Sequence, residues 1–445
     1  MAIRRLRTTL ALALAVAACG SDESPKAPAP SAAPERSAPE AVPAAPPSSA
    51  RARPDLPRGI VLALAQFVTV DGKPQPGPAR LEFLYRAGDG WHMTALEDAE
   101  SNVFHKAMLY EGADGPGVLS LGGTAALLKL WSPRGGTLDA TVLWQKDFGG
   151  KFSRMRDAEV ADLFGDGAAS IAVATHDQGV VAVLRPGSGG GYDVTELDAE
   201  PDTFVHEIEI GDLDADGALE VYATPSEPNR LDGSQQSGAV VRYVPSRAEG
   251  RHVVADLGDR HAKEILVDDV DGDGRQELYV SVEGDVGPDK QLTAPVEIRR
   301  FEADTPAADG AVIATLRDRL CRFLTAGDVD GDGRKELVAA TFSQGLWLLR
   351  PGEDPRGEWN VELIDRDSGG FEHAALLTDL DGDGRDELYV ASDDRKKNAS
   401  GRPEVRRYVW AETRPDREVI YVRPDDRPIF TWNLMPIPVA LLPGL

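Results

Sequence analysis

Four short stretches of the sequence each carry a row of alternating carboxylates. They start at positions 212, 269, 328 and 379, and each has Asp at positions 1, 3 and 5, Gly at position 6 and Glu at position 9. Alternating side chains on a tight turn bring carboxylate oxygens together, and a hard cation such as Ca²⁺ binds about six to eight oxygen atoms. The spacing therefore predicts four calcium loops. Their acidic residues are Asp212, Asp214, Asp216 and Glu220; Asp269, Asp271, Asp273 and Glu277; Asp328, Asp330, Asp332 and Glu336; and Asp379, Asp381, Asp383 and Glu387.

The acidic loops lead into β-strands and recur at a regular period. Leu or Val follows each Glu, and further apolar residues continue the run, as in Tyr279-Val280. Successive loops start 57, 59 and 51 residues apart, and a period of about 50 residues indicates a repeat array. Two degenerate copies lie upstream: residues 162–167 keep positions 1, 5 and 6, and residues 113–115 keep one carboxylate and the Gly. Both are expected to turn the chain without a metal.

Two further strands follow the loop strand of each repeat, and these pairs count seven units against six loops. Short runs of β-branched and aromatic residues between Gly, Pro and Asp are typical of strands and turns. Third strands are predicted at 80–85, 127–131, 180–184, 240–244, 296–301, 346–349 and 405–410, and fourth strands near 91, 139, 192, 251, 311, 359 and 417. Four strands per unit, repeated around an axis and without convincing helical periodicity, predict an all-β fold, a seven-bladed β-propeller.

The seventh blade is predicted to be split between the two ends of the domain. Residues 60–70 supply its second strand, residues 80–96 its third and fourth, and residues 429–435 its first. Pro436 and Pro438 are expected to end this last strand, because proline cannot donate to a β-ladder. A C-terminal strand that joins N-terminal strands closes the ring and removes the exposed edges of an open array.

The loops, their period and their place between first and second strands resemble FG-GAP/VCBS repeats. Such repeats form the propeller of integrin α-subunits and of many bacterial exported proteins. The resemblance covers almost all of the chain after residue 57 and rests on the four complete loops. It implies about four structural Ca²⁺ ions, each bound by the side chains at positions 1, 3, 5 and 9 and by the carbonyl oxygen at position 7. Those carbonyl groups belong to Ala218, Arg275, Arg334 and Arg385.

The N-terminus predicts export and a lipid anchor. Three arginines precede a short apolar run at 10–18, which is typical of a secretory signal and too short to span a bilayer. Small residues before Cys19 resemble a bacterial lipobox, which implies cleavage before Cys19 and lipidation of its thiol. By the same resemblance, Gly20 favours the outer membrane. The expected organisation is a signal peptide at 1–18, a disordered Pro/Ala/Ser-rich tether at 19–57 and the propeller at 58–445.

Charge and composition exclude several kinds of function. The formal net charge is −26 at pH 7, which argues against nucleic acid or an anionic membrane surface as a partner. Cys321 is the only cysteine besides Cys19, so a disulfide framework is excluded. The sequence also carries no nucleophile elbow, phosphate loop or zinc-binding spacing. Calcium is therefore the expected cross-bracing of an exported fold that lacks disulfides.

Basic side chains recur six residues before the loop starts, in contrast to the overall negative charge. They are Arg156, His206, Lys263, Arg322 and His373. On the fold that the resemblance implies, these positions lie at the far end of the innermost strands, where they would surround the mouth of the central channel. A basic ring would suit a carboxylated or sulfated ligand such as an acidic polysaccharide. The alternative is that these side chains pair with neighbouring acids such as Asp157 and Glu372.

Three functions remain open from the sequence. The first is a non-catalytic, calcium-braced propeller, tethered to the cell envelope, that binds an extracellular or periplasmic protein or an acidic glycan through its channel face. The second is a polysaccharide lyase or related carbohydrate-active enzyme that uses the basic ring, an analogy drawn at the level of the fold. The third is a purely structural envelope protein. We expect the first, without enzyme activity, and keep the lyase as the alternative.

Overall fold

The computed structural model describes residues 59–442 apart from 89, 113–114, 124–125, 149–153, 177, 226–229, 231–232, 412–413 and 425–427. The predicted signal peptide, Cys19 and tether lie outside the described residues, as does most of the degenerate loop at 113–115. The described chain is almost entirely β-strand, with two short 3₁₀ turns at Pro245–Arg247 and Val439–Leu441. None of its helices has the length and apolarity needed to cross a membrane.

Seven sheets of four main antiparallel strands form the blades. The first sheet in chain order belongs to blade 7, which a C-terminal strand completes. It contains β1 (Gly59–Val70), the short hairpin strand β2 (Lys73–Pro76), β3 (Ala79–Ala87) and β4 (Gly90–Asp98). Blade 1 contains β5 (Phe104–Gly112), β6 (Gly115–Gly122), β7 (Ala126–Arg134) and β8 (Thr137–Lys146). Blade 2 contains β9 (Met155–Ala161), β10 (Ser170–Thr175), β11 (Val180–Pro186) and β12 (Tyr192–Ala199). Blade 3 contains β13 (Val205–Gly211), β14 (Glu220–Pro225), β15 (Gly238–Val244) and β16 (Glu249–Gly258).

The C-terminal half repeats the same order. Blade 4 contains β17 (Ala262–Asp268), β18 (Glu277–Val282), a small hairpin of β19 (Asp285–Val286) and β20 (Leu292–Ala294), then β21 (Val296–Phe301) and β22 (Ala311–Leu316). Blade 5 contains β23 (Cys321–Gly327), β24 (Glu336–Thr341), β25 (Leu346–Arg350) and β26 (Asn360–Asp365). Blade 6 contains β27 (Ala375–Thr378), β28 (Glu387–Ser392), β29 (Glu404–Trp410) and β30 (Pro415–Val422), and β31 (Ile429–Ile437) follows it.

Blade 7 is split between the two ends of the described chain, as predicted. Strand β31 pairs with β1, which also pairs with β3, and β3 pairs with β4. The expectation that Pro436 ends the pairing is wrong, because Pro436 lies opposite Ile60 and the ladder continues to Ile437 opposite Gly59. Strand β31 pairs with β1 alone, and its other edge makes no ladder hydrogen bonds. A proline that lacks its N–H on that free edge therefore breaks no pairing. The predicted seven-bladed all-β propeller is confirmed.

Apolar side chains fill the interfaces between neighbouring blades. Seven separate clusters of buried residues form these interfaces, such as Ile60 and Leu62 of blade 7 against Tyr389 and Ala391 of blade 6. Because second and third strands face a neighbour on both sides, their apolar residues run continuously, as in β10 and β24, where every residue is buried. Burial between blades therefore supports the ring, and the first strands of adjacent blades contact one another around the centre.

The closing joint between blades 6 and 7 is centred on a buried arginine. Arg423 follows β30, and only 1% of its surface is exposed. Its Nε lies 3.0 Å from Glu82 of β3, its Nη1 lies 2.7 Å from Asp393, and its Nη2 donates to the Thr431 hydroxyl at 3.0 Å. The Thr431 backbone amide donates to Asp393 at 2.7 Å. One side chain thus joins the N-terminal strands, blade 6 and the C-terminal strand.

Candidate calcium loops and channel mouth

The four acidic loops share one turn that connects the first strand to the second. In the loop at 328, the amides of Gly331 and Gly333 donate to the two carboxylate oxygens of Asp328 at 2.6 and 2.8 Å, and the Arg334 amide donates to Asp332 at 2.8 Å. The glycine at position 6 is left-handed in every loop, with φ between 85° and 91°. Glycine adopts this conformation without strain, so the recurring Gly at position 6 has a local cause.

The aspartates of each loop converge to a degree that suits a divalent cation. In each of the four loops, carboxylate oxygens from positions 1, 3 and 5 lie within 4.8 Å of one another. Three hard, negatively charged oxygens in so small a space are the donor set that Ca²⁺ prefers, and they would repel one another without a counter-charge. The residues therefore fit the predicted ion. Their role as ligands, with that of the carbonyl oxygens at position 7, stays a prediction.

The glutamate at position 9 begins the second strand in all four loops, and its contacts differ between them. Glu277 joins the carboxylate cluster of its loop. In the other three loops, an oxygen of the glutamate accepts a hydrogen bond from the backbone amide at position 2. These bonds are Leu213 to Glu220 at 3.0 Å, Val329 to Glu336 at 3.1 Å and Leu380 to Glu387 at 3.0 Å. Burial raises the pKa of Glu277, Glu336 and Glu387 to about 7, so a nearby cation would favour their charged forms.

An arginine on the third strand reaches the acidic loop in each of the four blades, which the sequence reasoning missed. Arg300 lies 2.7 Å from Asp271 and 3.1 Å from Glu277, and Arg242 lies 2.7 Å from Glu220. The other two are Arg407, which pairs with Asp381 and Glu387, and Arg350, 3.8 Å from Glu336. The signal was available, because an arginine recurs on the third strand of every blade that has a complete loop.

The degenerate loop of blade 2 keeps the turn and lacks the carboxylate cluster. The amides of Asp166 and Gly167 donate to Asp162 at 3.1 and 2.7 Å, as in the complete loops. Phe164 stands at position 3 and Ser170 at position 9, so this loop lacks two of the carboxylates that the complete loops offer to a cation. Among the described residues, only the four complete loops bring three carboxylates together. Hydrogen bonds from backbone amides to the carboxylate of Asp162 thus accompany this turn without the full carboxylate cluster.

Position 4 of the loops provides a first test of local strain. Ala215 has φ of 55°, whereas the other complete loops have Gly272, Gly331 and Gly382 there, also at positive φ. An alanine in the left-handed region costs roughly 1–2 kcal/mol. We therefore expect Ala215→Gly to raise the free energy of unfolding by about 1 kcal/mol in urea titrations. The control is Ala218→Gly in the same loop, whose φ is not positive; equal effects of the two variants would contradict strain at Ala215.

The basic positions at the opposite end of the first strands lie in β-bulges. Register shifts interrupt the pairing at Arg156, Lys263 and Arg322, and also at the residue pairs 105–106 and 206–207. Trp432 occupies the same place in blade 7. A bulge re-aims the side chain of its extra residue. In a regular strand, neighbouring side chains point to opposite faces. The recurring bulge thus explains how basic residues and the acids next to them can both turn towards the centre.

Three of the five predicted ring residues come together around a central acid. Arg156 donates to the ring of His206 at 3.1 Å and lies 3.7 Å from Glu372, which belongs to the segment before β27. Arg322 donates to the other oxygen of Glu372 at 3.2 Å. The guanidinium of Arg156 also lies 4.9 Å from the ring centre of Trp432. Blades 2, 5 and 6 are therefore bridged across the channel by one carboxylate, and these side chains are almost completely buried.

The histidines of this group are held neutral. Burial lowers the pKa of His206 well below its usual value, and the charges of Arg156, Lys263 and Arg322 lower it further. His105 and His176 have lowered pKa values for the same two reasons, burial and nearby arginines. Lys263 therefore acts on the group through its charge. At neutral pH the positive charge of the mouth comes from arginine and lysine; His176 and His206 accept hydrogen bonds from arginines, and His105 donates to the Met155 carbonyl oxygen.

His373 lies apart from this group. Its ring bonds the Ser368 hydroxyl at 2.7 Å and the Thr341 carbonyl oxygen at 2.7 Å. Ser368 and His373 are both completely enclosed, at 0% and 1% exposure, so this pair is shielded from solvent. The backbone at His373 is left-handed, with φ of 55°. Blade 6 differs from the others here, because the short strand β27 begins only at Ala375.

The titration of His373 supports a pH prediction. Burial lowers the pKa of His373 to about 4, whereas an unfolded histidine titrates near 6.5, so the unfolded chain binds the extra proton first as pH falls. Wild-type stability is then lost between pH of about 6.5 and 4, by about 3 kcal/mol from this residue. Asn tolerates a left-handed backbone and does not titrate. In urea titrations from pH 7.5 to 4.5, His373→Asn should show a flatter pH dependence than wild type. The exposed His252→Asn is the control, and parallel curves for His373→Asn and wild type would contradict the expectation.

At the bulges and next to them, the first strands bring acids together around one lysine. Lys106 pairs with Asp157 at 2.9 Å and with Glu159. Burial opposes the charge of Lys106, but these carboxylates outweigh it and raise its pKa. Burial and the neighbouring Asp157 and Glu264 raise the pKa of Glu207. The first strands therefore place a group of acids around Lys106 next to the basic residues of the mouth.

Comparison with known proteins agrees with this architecture. Residues 328–390 match the family model described as an FG-GAP-like repeat. A candidate 6-phosphogluconolactonase from Bacteroides uniformis is 13% identical, over 82% of this chain and 99% of that chain, with a TM-score of 0.49. A protein from Lactobacillus plantarum is also 13% identical, over 85% of this chain and 99% of that chain, with a TM-score of 0.50. At this identity, the likeness concerns the fold alone. No curated protein sequence matches the chain significantly.

Seven four-stranded blades, four of which have a complete acidic loop between the first and second strands, define a repeat-built β-propeller. The match at 328–390 extends from the acidic loop of blade 5 into the second strand of blade 6, so it covers one complete repeat period and the acidic loop that starts the next. The chain is therefore a seven-bladed β-propeller that contains an FG-GAP-like repeat at residues 328–390.

Proposed function

We propose that this propeller is a calcium-stabilised, non-catalytic binding module, and that it binds an anionic ligand at the channel mouth. The observation that supports this proposal is a partly exposed group of aromatic and basic side chains at the mouth, which we call the mouth rim; Phe371 and Arg319 are exposed and the other three are half-buried. It consists of Phe67, Phe430, Phe371, Phe342 and Arg319. Phe371 is 40% exposed, which is unusual for a large aromatic residue beside the centre of a fold.

The aromatic rings of the mouth rim form a continuous chain. Phe67 packs edge-on against Phe430 at 5.6 Å, Phe430 lies 6.1 Å from Phe371, and Phe371 lies 6.5 Å from Phe342. Arg322 stacks on Phe371 at 4.6 Å, and Arg319 stacks on Phe342 at 4.7 Å. A rigid aromatic surface edged by guanidinium groups suits a ligand with an apolar face and a carboxylate or sulfate, such as an acidic sugar.

Charge favours an anion at this place over a cation. The guanidinium of Arg319 is exposed and pairs with no carboxylate among the described residues, on a chain of net charge −26. Beneath it, the buried group of Arg156, Arg322 and Glu372 also has Glu283 at 3.4 Å from Arg322, so its two arginines face two carboxylates and the unpaired positive charge is that of Arg319. Because Glu372 joins opposite blades, that group closes the channel at its mouth. A ligand would therefore bind on the rim.

The arrangement favours binding over catalysis. In the mouth, the ring of His206 accepts a hydrogen bond from Arg156, and His105, which donates to the Met155 carbonyl oxygen at 2.6 Å, is only 4% exposed. A general base needs a free nitrogen within hydrogen-bond reach of the substrate. The lyase alternative has one supporting observation: His176 is only partly buried and neutral, and it lies beside Arg154, which could hold a substrate carboxylate.

A glycan array and direct titration with the purified chain test the binding proposal. The expected ligands are acidic polysaccharides or oligosaccharides, with neutral ones inactive. Arg319→Ala should weaken binding about tenfold, because a hydrogen bond to a charged group contributes about 1.5–3 kcal/mol. Phe371→Ala should also weaken binding, because the ligand would lose the aromatic surface on which it packs. Arg317→Ala, two residues from Arg319 and also exposed, is the matched control. Unchanged binding in the two rim variants would contradict this site, and rising ultraviolet absorbance from unsaturated uronates would establish the lyase.

We further propose that the module is exported and held at the bacterial envelope by a lipid on Cys19, with residues 19–57 as a tether. The supporting features are the basic and apolar N-terminal segment and the Pro-rich stretch that follows it. Mass spectrometry of protein expressed in a bacterial host should find a diacylglyceryl group on Cys19. Cys19→Ser should move the protein from the membrane fraction to the soluble periplasmic fraction. Membrane retention of Cys19→Ser would contradict the anchor.

A further inference from the structure

We propose that the third-strand arginines Arg242, Arg300, Arg350 and Arg407 act as built-in counter-cations that set the calcium affinity of the four loops. This proposal rests on the calcium loops proposed above. It extends the proposed calcium function to residues outside those loops. An arginine that holds the carboxylates of a loop neutralises part of their repulsion, and it also opposes the entry of a second cation. Each loop would then have a different affinity, according to how firmly its arginine is held.

Arg300 and Arg407 contact the loop carboxylates in the way that this proposal requires. Nη2 of Arg300 lies 2.7 Å from Asp271 and 3.1 Å from Glu277, so one nitrogen bridges positions 3 and 9 of its loop. Nη2 of Arg407 makes the same bridge between Asp381, at 2.8 Å, and Glu387. These carboxylates are the ones that the loop pattern assigns to Ca²⁺.

Electrostatics gives the direction of the effect. Calcium affinity depends on how many negative ligand charges the site offers. A complete loop offers four carboxylates, and a guanidinium on two of them reduces the net charge from −4 to −3. The guanidinium also stands within a few ångströms of the position that a divalent ion would take. Repulsion between single and double positive charges about 6 Å apart, even with the screening of water, amounts to about a tenfold change in affinity.

The surroundings of the four arginines differ, and these differences predict an order of calcium affinity among the loops. Arg300 is 3% exposed and also pairs with Glu302, so it is held in place. A cavity of about 270 Å³, lined in part by Trp91 and Tyr389, borders Arg407, and another of about 330 Å³ borders Arg242. These two guanidinium groups have space to move aside.

Arg350 has the weakest hold on its loop. Its nearest loop contact is Glu336 at 3.8 Å, it also pairs with Glu362 at 3.4 Å, and it reaches no aspartate of its loop in the described structure. The loop at Asp328 should therefore bind calcium most tightly and the loop at Asp269 most weakly. The loops at Asp212 and Asp379 should be intermediate.

Calorimetric calcium titration of the whole chain tests this proposal. Arg300→Gln and Arg407→Gln should each raise the calcium affinity of one site about tenfold. Both should also lower the melting temperature in chelator, because the repelling carboxylates lose their counter-charge. The matched control is Arg299→Gln, the neighbour of Arg300 on β21, which bonds Glu297 and not the loop. The gain in Arg407→Gln should vanish when Asp379→Asn disables its own loop.

The outcomes separate this proposal from the calcium loops themselves. If wild type binds calcium and the variants bind it no better or more weakly, the arginines position the ligands and the proposal is overturned alone. If neither wild type nor variants bind calcium, the loops are not calcium sites and both proposals fall together. If Arg300→Gln does not fold, Arg407→Gln, whose guanidinium borders a cavity, decides the question by the same titration.

Discussion

Chelation of calcium is expected to lower the melting temperature of this protein by about ten degrees or more. A ligand at a hundredfold excess over its dissociation constant stabilises the folded state by about 2.7 kcal/mol per site, and four loops are present. Each kcal/mol shifts the midpoint by about 1–2 degrees in a domain of this size, by extension of the trend for smaller domains. Without the ion, three aspartates per loop repel one another at close range.

Scanning calorimetry in calcium and in chelator provides the measurement. Asp328→Asn should remove part of the calcium-dependent shift, because Asp328 supplies position 1 of its loop. The matched control is Asp162→Asn in blade 2, whose loop has the same turn without the carboxylate cluster. Asp162→Asn should leave the shift unchanged. A shift below about two degrees in wild type would contradict structural calcium.

Replacement of Arg423 is expected to be the most damaging single change at the closing joint. Arg423→Met should lower the free energy of unfolding by about 3–5 kcal/mol, because Glu82 and Asp393 would remain buried without their partner. Strand β31 would also lose a connection to blade 6, since Asp393 bonds both Arg423 and the Thr431 amide. Chemical denaturation followed by tryptophan fluorescence measures the loss.

A double variant distinguishes the ion pair from simple loss of packing. Glu82→Leu with Arg423→Met removes two buried charges together and should recover part of the stability that Arg423→Met loses. Arg417→Ala, an exposed arginine that pairs with Asp365, is the control and should cost about 1 kcal/mol or less. If the double variant is less stable than Arg423→Met by the full cost of Glu82→Leu, the charge argument fails.

Comparison of the expected and observed site shows which features are local in origin. The turn of each acidic loop forms through hydrogen bonds within six residues, such as Gly333 to Asp328. Such a turn depends on the identity of its own residues, and a regular spacing between turns then counts the blades. The strand predictions also succeeded because short apolar runs between turn residues have few alternative structures in a repeat array.

The prediction of the basic ring depended on the assumption that all blades are alike. Arg156, His206 and Arg322 do meet at the channel mouth. His373 stands at the same sequence offset, but strand β27 begins later and its ring bonds Ser368 and Thr341 instead. Glu372, next to it, is the residue that reaches the centre. A shift of one residue along the segment before β27 decided which of the two faces the channel.

The sequence by itself determined the acidic loops, the number of blades and the split of blade 7, because each follows from short motifs and their spacing. Only the tertiary structure decided which side chains meet across the ring. Arg156 and Glu372 are 216 residues apart, and Arg423 and Glu82 are 341 residues apart. Such contacts depend on bulges and on the closure of the ring, which no local pattern records. The third-strand arginines are intermediate: they recur in the sequence, but only the pairing of the strands placed them on the acidic loops.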